Sequence, residues 1–196
     1  MKKRLVNKSV NLLALCVFLV FAGLQTKAQM VTTFAGNGSI GITGDGGPAT
    51  SAPLSFAFAT AFDAAGNLYL GMPNAIRKVS PGGIITNFAG NGTAGYSGDG
   101  GLAVNAEVSN VEGIAFDAAG NLYFTDGYSL ASVVRKIDLG GIITTVVGSP
   151  TSGPGFSGDG GLATAAQLSQ PRDIIFDAAG NMYIADGFNM RIRKVD

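Results

Sequence analysis

The octapeptide FDAAGNLY at residues 116–123 occurs unchanged at residues 62–69 and, with Met for Leu, at residues 176–183. The copies begin 54 and 60 residues apart, between short runs rich in β-branched and aromatic residues. Self-similarity of this kind is typical of propellers and solenoids. Within the octapeptide, Asp117 ends one apolar run, Gly120 suits a positive φ and Asn121 opens the next run. This order predicts a tight β-hairpin with a type I turn and a glycine bulge.

One repeat unit is predicted to contain four short strands, at residues 113–117, 121–126, 133–138 and 142–147. A second tight turn follows the third strand. In the first unit it contains Pro81 and Gly82, which suit the two central positions of a type II turn. Residues 162–168 are rich in Ala and could form one helical turn.

Four antiparallel strands followed by a long connection describe a blade of a β-propeller. A solenoid is the alternative, but antiparallel hairpins do not stack as a parallel β-helix, and radial repetition protects sheet edges. We therefore predict an all-β propeller with blades at about residues 56–90, 111–148 and 171–196. Residues 31–36 match the last strand of a blade and would be an orphan strand.

The first 28 residues have the composition of a secretory signal peptide: a basic start, an apolar run over residues 10–24, and a cleavage site after Ala28. A retained membrane helix is the alternative, although the unbroken apolar run is short for a bilayer that needs about 20 residues. A lipid-attachment site at Cys16 fits less well, because Leu15 is bulky. We expect a mature domain of residues 29–196.

The composition excludes several function classes. Five of the 13 basic residues lie in the N-terminal segment, which leaves 8 basic against 13 acidic residues and a net charge of −5. Such a body gives no electrostatic basis for binding nucleic acid. The chain has no His, and Cys16 is its single cysteine. It therefore lacks a Ser-His-Asp triad, a Cys-His pair and a histidine-ligated metal site.

Residues 181–195 contain the sequence NMYIAD, then Asn189, then RIRKV, and they resemble the NHL repeat, whose usual form is close to NLYVADxxNxRIRKV. The strand at 142–145 and the loop sequence SGDGG resemble the longer NHL variant of bacterial secreted proteins, similar to that of teneurins. Met72 departs from the pattern, because Asp126 and Asp186 stand at its position in the other copies. The resemblance implies a six-bladed ring, of which about three blades are present.

Three blades are too few for a closed propeller, which typically has four to eight. We therefore expect the N-terminal part of a longer protein, or a truncated product, whose open blade edges allow self-association.

Because antiparallel strands alternate in direction, all the long and variable loops fall at one end of the blades, where scaffolds of this kind usually bind. The tetrads Gly-Asp-Gly-Gly recur there, and their carboxylates could meet a cation or a sugar hydroxyl, or cap their own turns. No catalytic residue, metal ligand or cofactor is assigned. The candidate binding residues are Asp45, Asp99, Asp159, Asp126, Asp186, Tyr128, Phe188 and Asn189.

Three Arg-Lys pairs, one in each copy, lie within strands at residues 77–78, 135–136 and 193–194. We expect them to occupy solvated outer positions or to pair with acidic neighbours.

These features favour an exported, non-catalytic binding module of a bacterium, periplasmic or secreted, with a protein or glycan partner on its loops and no membrane contact after cleavage. The alternative is a fragment of a metal-dependent propeller hydrolase of the gluconolactonase type. Such enzymes hold a divalent ion with carboxylates and Asn, but the two glutamates, Glu107 and Glu112, sit in no matching motif.

Overall fold

The computed structural model describes residues 29–127 and 131–196 of the 196-residue chain. The secondary structure of these described residues lies in one compact unit, Thr33–Asp196, and residues 29–32, which fall outside this unit, have none assigned. The predicted signal peptide lies outside the described residues, as does Tyr128. No helix in the described ranges is long and apolar enough to cross a membrane.

The described part of the chain contains three antiparallel sheets, and within each sheet a strand pairs with the next one in sequence. Blade 1 contains β1–β4, blade 2 contains β5–β8, and blade 3 contains β9–β11. This is the blade architecture that the sequence predicts. The strands are β1 (Ala59–Phe62), β2 (Leu68–Met72), β3 (Ala75–Val79), β4 (Ile85–Ala89), β5 (Ile114–Phe116), β6 (Leu122–Asp126), β7 (Val133–Ile137), β8 (Ile143–Val147), β9 (Pro171–Phe176), β10 (Met182–Asp186) and β11 (Arg191–Val195).

The turn between the first and second strands of a blade is the predicted type I turn with a glycine bulge. Gly120 has a φ of +88°, and its N–H donates to the carbonyl of Asp117 at 3.0 Å. The side chain of Asp117 accepts from the N–H groups of Ala119 and Asn121 at 3.0 and 2.9 Å. Asp63 and Asp177 accept the equivalent hydrogen bonds, so the Asp side chain fixes this turn in each copy of the octapeptide.

The turn between the third and fourth strands differs from the prediction. A type II turn needs a positive φ at Gly82, but the positive φ of +77° belongs to Gly83, whose N–H donates to the carbonyl of Ser80 at 2.8 Å. The type II prediction is therefore wrong. A type I turn followed by a left-handed glycine keeps the right-handed twist of the two strands, which a type II turn would splay.

Two apolar cores lie between neighbouring blades. Between blades 1 and 2, the ring of Phe116 packs edge-on against Tyr69, with centroids 5.0 Å apart. Between blades 2 and 3, Phe176 packs in the same way against Tyr123 at 4.9 Å. Edge-to-face aromatic pairs add to the stabilisation from buried area. The last residue of one octapeptide thus contacts the first residue of the next.

A connection with a Gly-Asp-Gly-Gly tetrad precedes each blade and contains a short 3₁₀ helix: Ala49–Ser51, Ala103–Asn105 or Ala163–Ala165. The last of these lies within the predicted helical turn. In blades 1 and 2, the tetrad bonds to the outer strand of the blade that follows it. In blade 1, Gly46 N–H donates to the carbonyl of Ile85 at 2.8 Å, and Ile85 N–H donates to the carbonyl of Gly47 at 3.0 Å. The connection therefore covers the outer edge of the sheet.

Residues 31–36, predicted to be an orphan last strand, are not a strand in the structure. A strand needs a neighbouring backbone for its hydrogen bonds, and no strand pairing within the described residues includes this segment. Blade 3 correspondingly contains three strands, without an outer strand among the described residues.

Candidate functional site

The strand directions place the tight turns at one end of each blade and the longer segments at the other end, which we call the loop face. It contains the loops between second and third strands, such as residues 73–74 and 187–190, and the segments that lead into the inner strands. Backbone hydrogen bonds join loops of neighbouring blades here. For example, Asn110 N–H donates to the carbonyl of Pro73 at 2.7 Å.

Asp99, a candidate binding residue, is held by four donors. Its Oδ1 accepts from Nε and Nη2 of Arg135 at 3.1 and 2.6 Å, and its Oδ2 accepts from the N–H of Thr145 at 2.9 Å and from the hydroxyl of Tyr96 at 3.0 Å. Burial alone would raise the pKa of Asp99, but the hydrogen bonds from Thr145 and Arg135 outweigh it and lower the pKa below 3.8. The carboxylate therefore joins its own connection to β7 and β8, rather than capping its own turn.

Arg135 is fully buried, and all three nitrogens of its guanidinium donate hydrogen bonds. Besides Asp99, they reach Oδ2 of Asp126 at 3.1 Å and the carbonyls of Glu107 and Ser97 at 2.9 and 2.7 Å. The prediction of solvated positions is therefore wrong for this Arg and for the equally buried Arg77, and the alternative of acidic partners is confirmed. An Arg can be buried here because its charge is paired and its donors are used.

Asp126 is also completely buried and has two structural contacts. Its Oδ1 accepts from the N–H of Ser109 at 2.8 Å, and its Oδ2 pairs with Arg135. Burial raises the pKa of Asp126 to about 7, and the guanidinium of Arg135 acts in the opposite direction. The side chain fixes the segment that leads into β5 and cannot reach the surface without breaking both contacts.

Blade 3 repeats this arrangement. Asp159 lies 2.6 Å from Nη2 of Arg193, and Asp186 lies 3.4 Å from Nη1 of the same Arg. Asp186 is buried and accepts from the N–H of Ser169 at 2.7 Å. Asp159 therefore joins its connection to β11, and Asp186 joins the segment that leads into β9 to β11.

Blade 1 lacks the second carboxylate because Met72 stands at the position of Asp126. Arg77 still pairs with Asp45, whose side chain is 54% exposed, and donates to the carbonyl of Thr43 at 3.3 Å. Its buried Nε has no hydrogen-bond partner. An unpaired buried donor is costly, so blade 1 has the weakest of the three arrangements.

Five of the candidate residues, the aspartates of the tetrads and of the second strands, thus have defined partners within their own blades. Ligand binding by them stays a prediction. Among the described residues, no group of three or more acidic, His or Cys side chains could hold a metal ion.

Three other side chains form a partly exposed group on the loop face, which we call the rim cluster: Glu112, Arg172 and Phe188. The guanidinium of Arg172 lies 5.8 Å from the ring centroid of Phe188 and 3.6 Å from Oε2 of Glu112. Phe188 is 61% exposed. Asn189 next to it donates to the carbonyl of Gly155 at 2.7 Å and to Asp186 at 2.8 Å, which fixes the loop that presents the ring.

Sequence reasoning selected Phe188 and Asn189 but missed Arg172 and Glu112 as site residues. Both precede the apolar part of an inner strand at the same repeat position, and Phe58 occupies that position in blade 1. A position that carries Phe, Glu and Arg in successive copies of a regular repeat is a signal that could have identified them.

Comparison with known proteins places the chain among repeat propellers. Residues 91–155 match the family model of the Teneurin NHL domain. Teneurin-1 of Gallus gallus is 38% identical over 95 residues, which is 46% of this chain and 3% of that protein. Teneurin-3 of Mus musculus is 36% identical over 93 residues, 45% of this chain and 3% of that protein. The chain therefore spans only a small part of these curated relatives.

Solved structures give the same fold. A protein of unknown function from Bacteroides thetaiotaomicron is 27% identical, with a TM-score of 0.66, over 86% of this chain and 40% of that chain. An auxiliary nutrient binding protein from Bacteroides ovatus is 19% identical, with a TM-score of 0.57, over 76% of this chain and 39% of that chain. Because the second of these structures is only 19% identical to this chain, its likeness shows the fold alone.

Proposed function

Since the chain is a β-propeller protein built of NHL repeats similar to those of teneurins, we propose that it is a non-catalytic binding module that takes a protein or glycan partner on its loop face. Propeller folds host unrelated activities, so the proposal rests on the side chains that the loop face presents. The rim cluster is the centre of the proposed contact surface.

The observation that carries the proposal is the exposed ring of Phe188 with the guanidinium of Arg172 beside it. Aromatic side chains, Phe among them, and Arg are enriched in the buried cores of protein interfaces. An exposed aromatic ring beside polar groups also suits a sugar, since the ring covers the apolar face of the sugar while Arg172 and Glu112 meet its hydroxyls. Because Asn189 fixes the loop, little ordering entropy is lost on binding.

The carboxylates favour binding over catalysis. A divalent-ion hydrolase needs several oxygens free to coordinate one ion, whereas Asp99 and Asp126 already accept hydrogen bonds from Arg135 and from backbone N–H groups. The chain also has no His to serve as a base.

The proposed module acts outside the cytoplasm, periplasmic or secreted. Support comes from the basic start and apolar run of residues 1–28. Intact-mass measurement of the exported protein tests this, with cleavage after Ala28 as the expected result. A product that keeps residues 1–28 would overturn it.

The binding proposal is tested with the purified chain on a glycan microarray and against a displayed peptide library. Any ligand found is then titrated against Phe188→Ala and Arg172→Ala. Leu139→Ala is the matched control, since Leu139 is 79% exposed in a tight turn at the opposite end of its blade. We expect each loop-face variant to lose about tenfold or more in affinity, which corresponds to about 1.4 kcal/mol. Equal losses in the control, or no ligand on either panel, would contradict the proposal.

A further inference from the structure

Residues 109–112, which lead into β5 and which we call the entry segment, form the junction between blades 1 and 2. The N–H of Asn110 donates to the carbonyl of Pro73 in blade 1 at 2.7 Å. Asn110 has a φ of +45°, which is uncommon for a residue other than Gly. The segment ends at Glu112 of the rim cluster. How firmly the segment is held therefore affects both the contact between the blades and the position of a loop-face side chain.

Asp126 holds the entry segment from within its own blade. Its Oδ1 accepts from the N–H of Ser109 at 2.8 Å, and the carbonyl of Ser109 accepts from the N–H of Gly127 at 3.0 Å. Asp126 and Ser109 are both buried. Movement of the segment away from β6 therefore removes the backbone donor of Asp126 and admits water to its carboxyl group.

Asp126 shares its cation with a second carboxylate. The charged groups that act on it are Arg135 from β7 and Asp99 from the connection. The guanidinium lies 2.6 Å from Asp99 and 3.1 Å from Asp126, so the cluster has one net negative charge when both carboxylates are ionised. Asp99 has four donors and is partly exposed, whereas Asp126 has two donors and is fully buried. A proton that neutralises the cluster therefore goes to Asp126.

The proton belongs in a pH range in which this chain has few other titrating groups. Burial raises the pKa of Asp126 from 3.8 to about 7, against the opposing effect of Arg135. His is the side chain whose ordinary pKa lies between about 5 and 8, and the chain has no His. Asp126 thus supplies the near-neutral proton step that His supplies in other proteins.

The direction of the pH effect follows from the two environments of Asp126. Once the entry segment has opened, the solvated carboxyl group is ionised above about pH 4. In the closed segment it keeps its proton up to about pH 7. Opening therefore releases one proton between these two pH values, and each unit of rising pH favours the open form by about tenfold. Above pH 7 both forms are ionised and the dependence ends.

We propose that Asp126 is a pH-sensitive latch, which holds the entry segment closed in mild acid and releases it more readily as the carboxyl group loses its proton. Release also frees Glu112, so the latch acts on the loop face whichever ligand binds there. Blade 1 has Met72 in place of this carboxyl group, and in blade 3 Asp186 accepts a third hydrogen bond, from Asn189 at 2.8 Å. Among the described blades, the latch is therefore specific to blade 2.

NMR of the chain labelled with carbon-13 at the Asp carboxyl groups measures the proton directly. We expect the carboxyl carbon of Asp126 to titrate with a midpoint near pH 7, and that of Asp99, whose pKa is lowered on folding, below about pH 4. Loss of the signal in Asp126→Asn identifies it. If that variant does not fold, through-bond correlation within Asp126 of the unmodified chain gives the same assignment. A midpoint below pH 5 would overturn the proposal.

Hydrogen exchange tests the opening independently. The protection of Asn110 N–H, corrected for the intrinsic effect of pH on exchange, should fall about a hundredfold from pH 5 to pH 8, mostly below pH 7. In Asp126→Asn it should change by less than about twofold. Gly83 N–H in a turn of blade 1 and Ser169 N–H, held by Asp186 in blade 3, are the controls and should show no such fall. Constant protection of Asn110, or the same fall in Asp126→Asn, would contradict the latch.

Discussion

Replacing Arg135 and Arg77 by Met should have very different costs, although the two residues occupy the same repeat position and are equally buried. Arg135→Met leaves the carboxyl group of Asp126 buried without its cation, so that this group must take up a proton at pH 7, and it removes the donors to two backbone carbonyls. Removing one partner of a buried ion pair costs about 3–5 kcal/mol. We expect a loss of that size in the free energy of unfolding.

Arg77→Met should cost only about 0–1.5 kcal/mol. Met72 already occupies the second carboxylate position, so no buried charge is left behind. Asp45 is 54% exposed and regains water when Arg77 is removed. The substitution also removes the buried Nε that has no partner. Apolar replacement of a poorly satisfied buried charge is often neutral.

Urea unfolding at pH 7, followed by far-UV circular dichroism because the chain has no Trp, measures both losses. The slope with denaturant should stay the same if only stability changes. Lys136→Met and Lys78→Met, on the same two strands but partly exposed, are the controls and should each change stability by less than about 0.5 kcal/mol. Losses for the two Arg variants that agree within about 1 kcal/mol would refute the assignment of the cost to Asp126.

Two further predictions follow from the turns and the ion pairs. Gly83→Ala should destabilise the chain by about 1–2 kcal/mol, because a φ of +77° is unfavourable for a residue with a Cβ. A Cβ there would meet no atom within 4 Å, so no steric clash adds to this cost. Gly82→Ala should be neutral or slightly stabilising, and thermal melts that show the reverse order would support the type II turn instead. Because the pKa of Asp99 is lowered on folding, its stabilisation is present above about pH 4 and is lost as pH falls through the lowered pKa. Asp99→Asn should flatten this part of the acid unfolding curve, and an unchanged curve would contradict the pairing with Arg135.

Local features of the sequence predicted the strands and the first turn closely. Residues 121–126 were expected as a strand, and β6 runs over Leu122–Asp126. The agreement follows from the octapeptide, in which the Asp side chain and the left-handed Gly define the hairpin within a few residues. The type II prediction failed because two glycines are adjacent at residues 82–83, and composition does not say which one takes the positive φ.

The burial of Arg135 could not be predicted from its neighbours in sequence, since its partner Asp99 lies 36 residues earlier. An Arg within a strand, followed by Lys, fits a solvated position equally well. The relevant signal is the recurrence of both residues, because every copy has one Asp in its tetrad and one Arg in its third strand. In the first copy, Met72 replaces the Asp of the second strand, which indicates a different environment for Arg77. In the structure, the buried Nε of Arg77 has no hydrogen-bond partner.

The connection that covers the outer edge of each four-stranded sheet has a consequence for how such arrays change length. An exposed sheet edge can pair with other chains, so an added blade with an unprotected outer edge would favour aggregation. In this chain the segment that protects the outer edge precedes its blade in the sequence: residues 98–101 bond to β8 of the blade that follows them. A duplicated segment that begins at a tetrad and ends after the next outer strand therefore brings its own edge protection, and gain or loss of whole blades leaves the remaining outer edges covered.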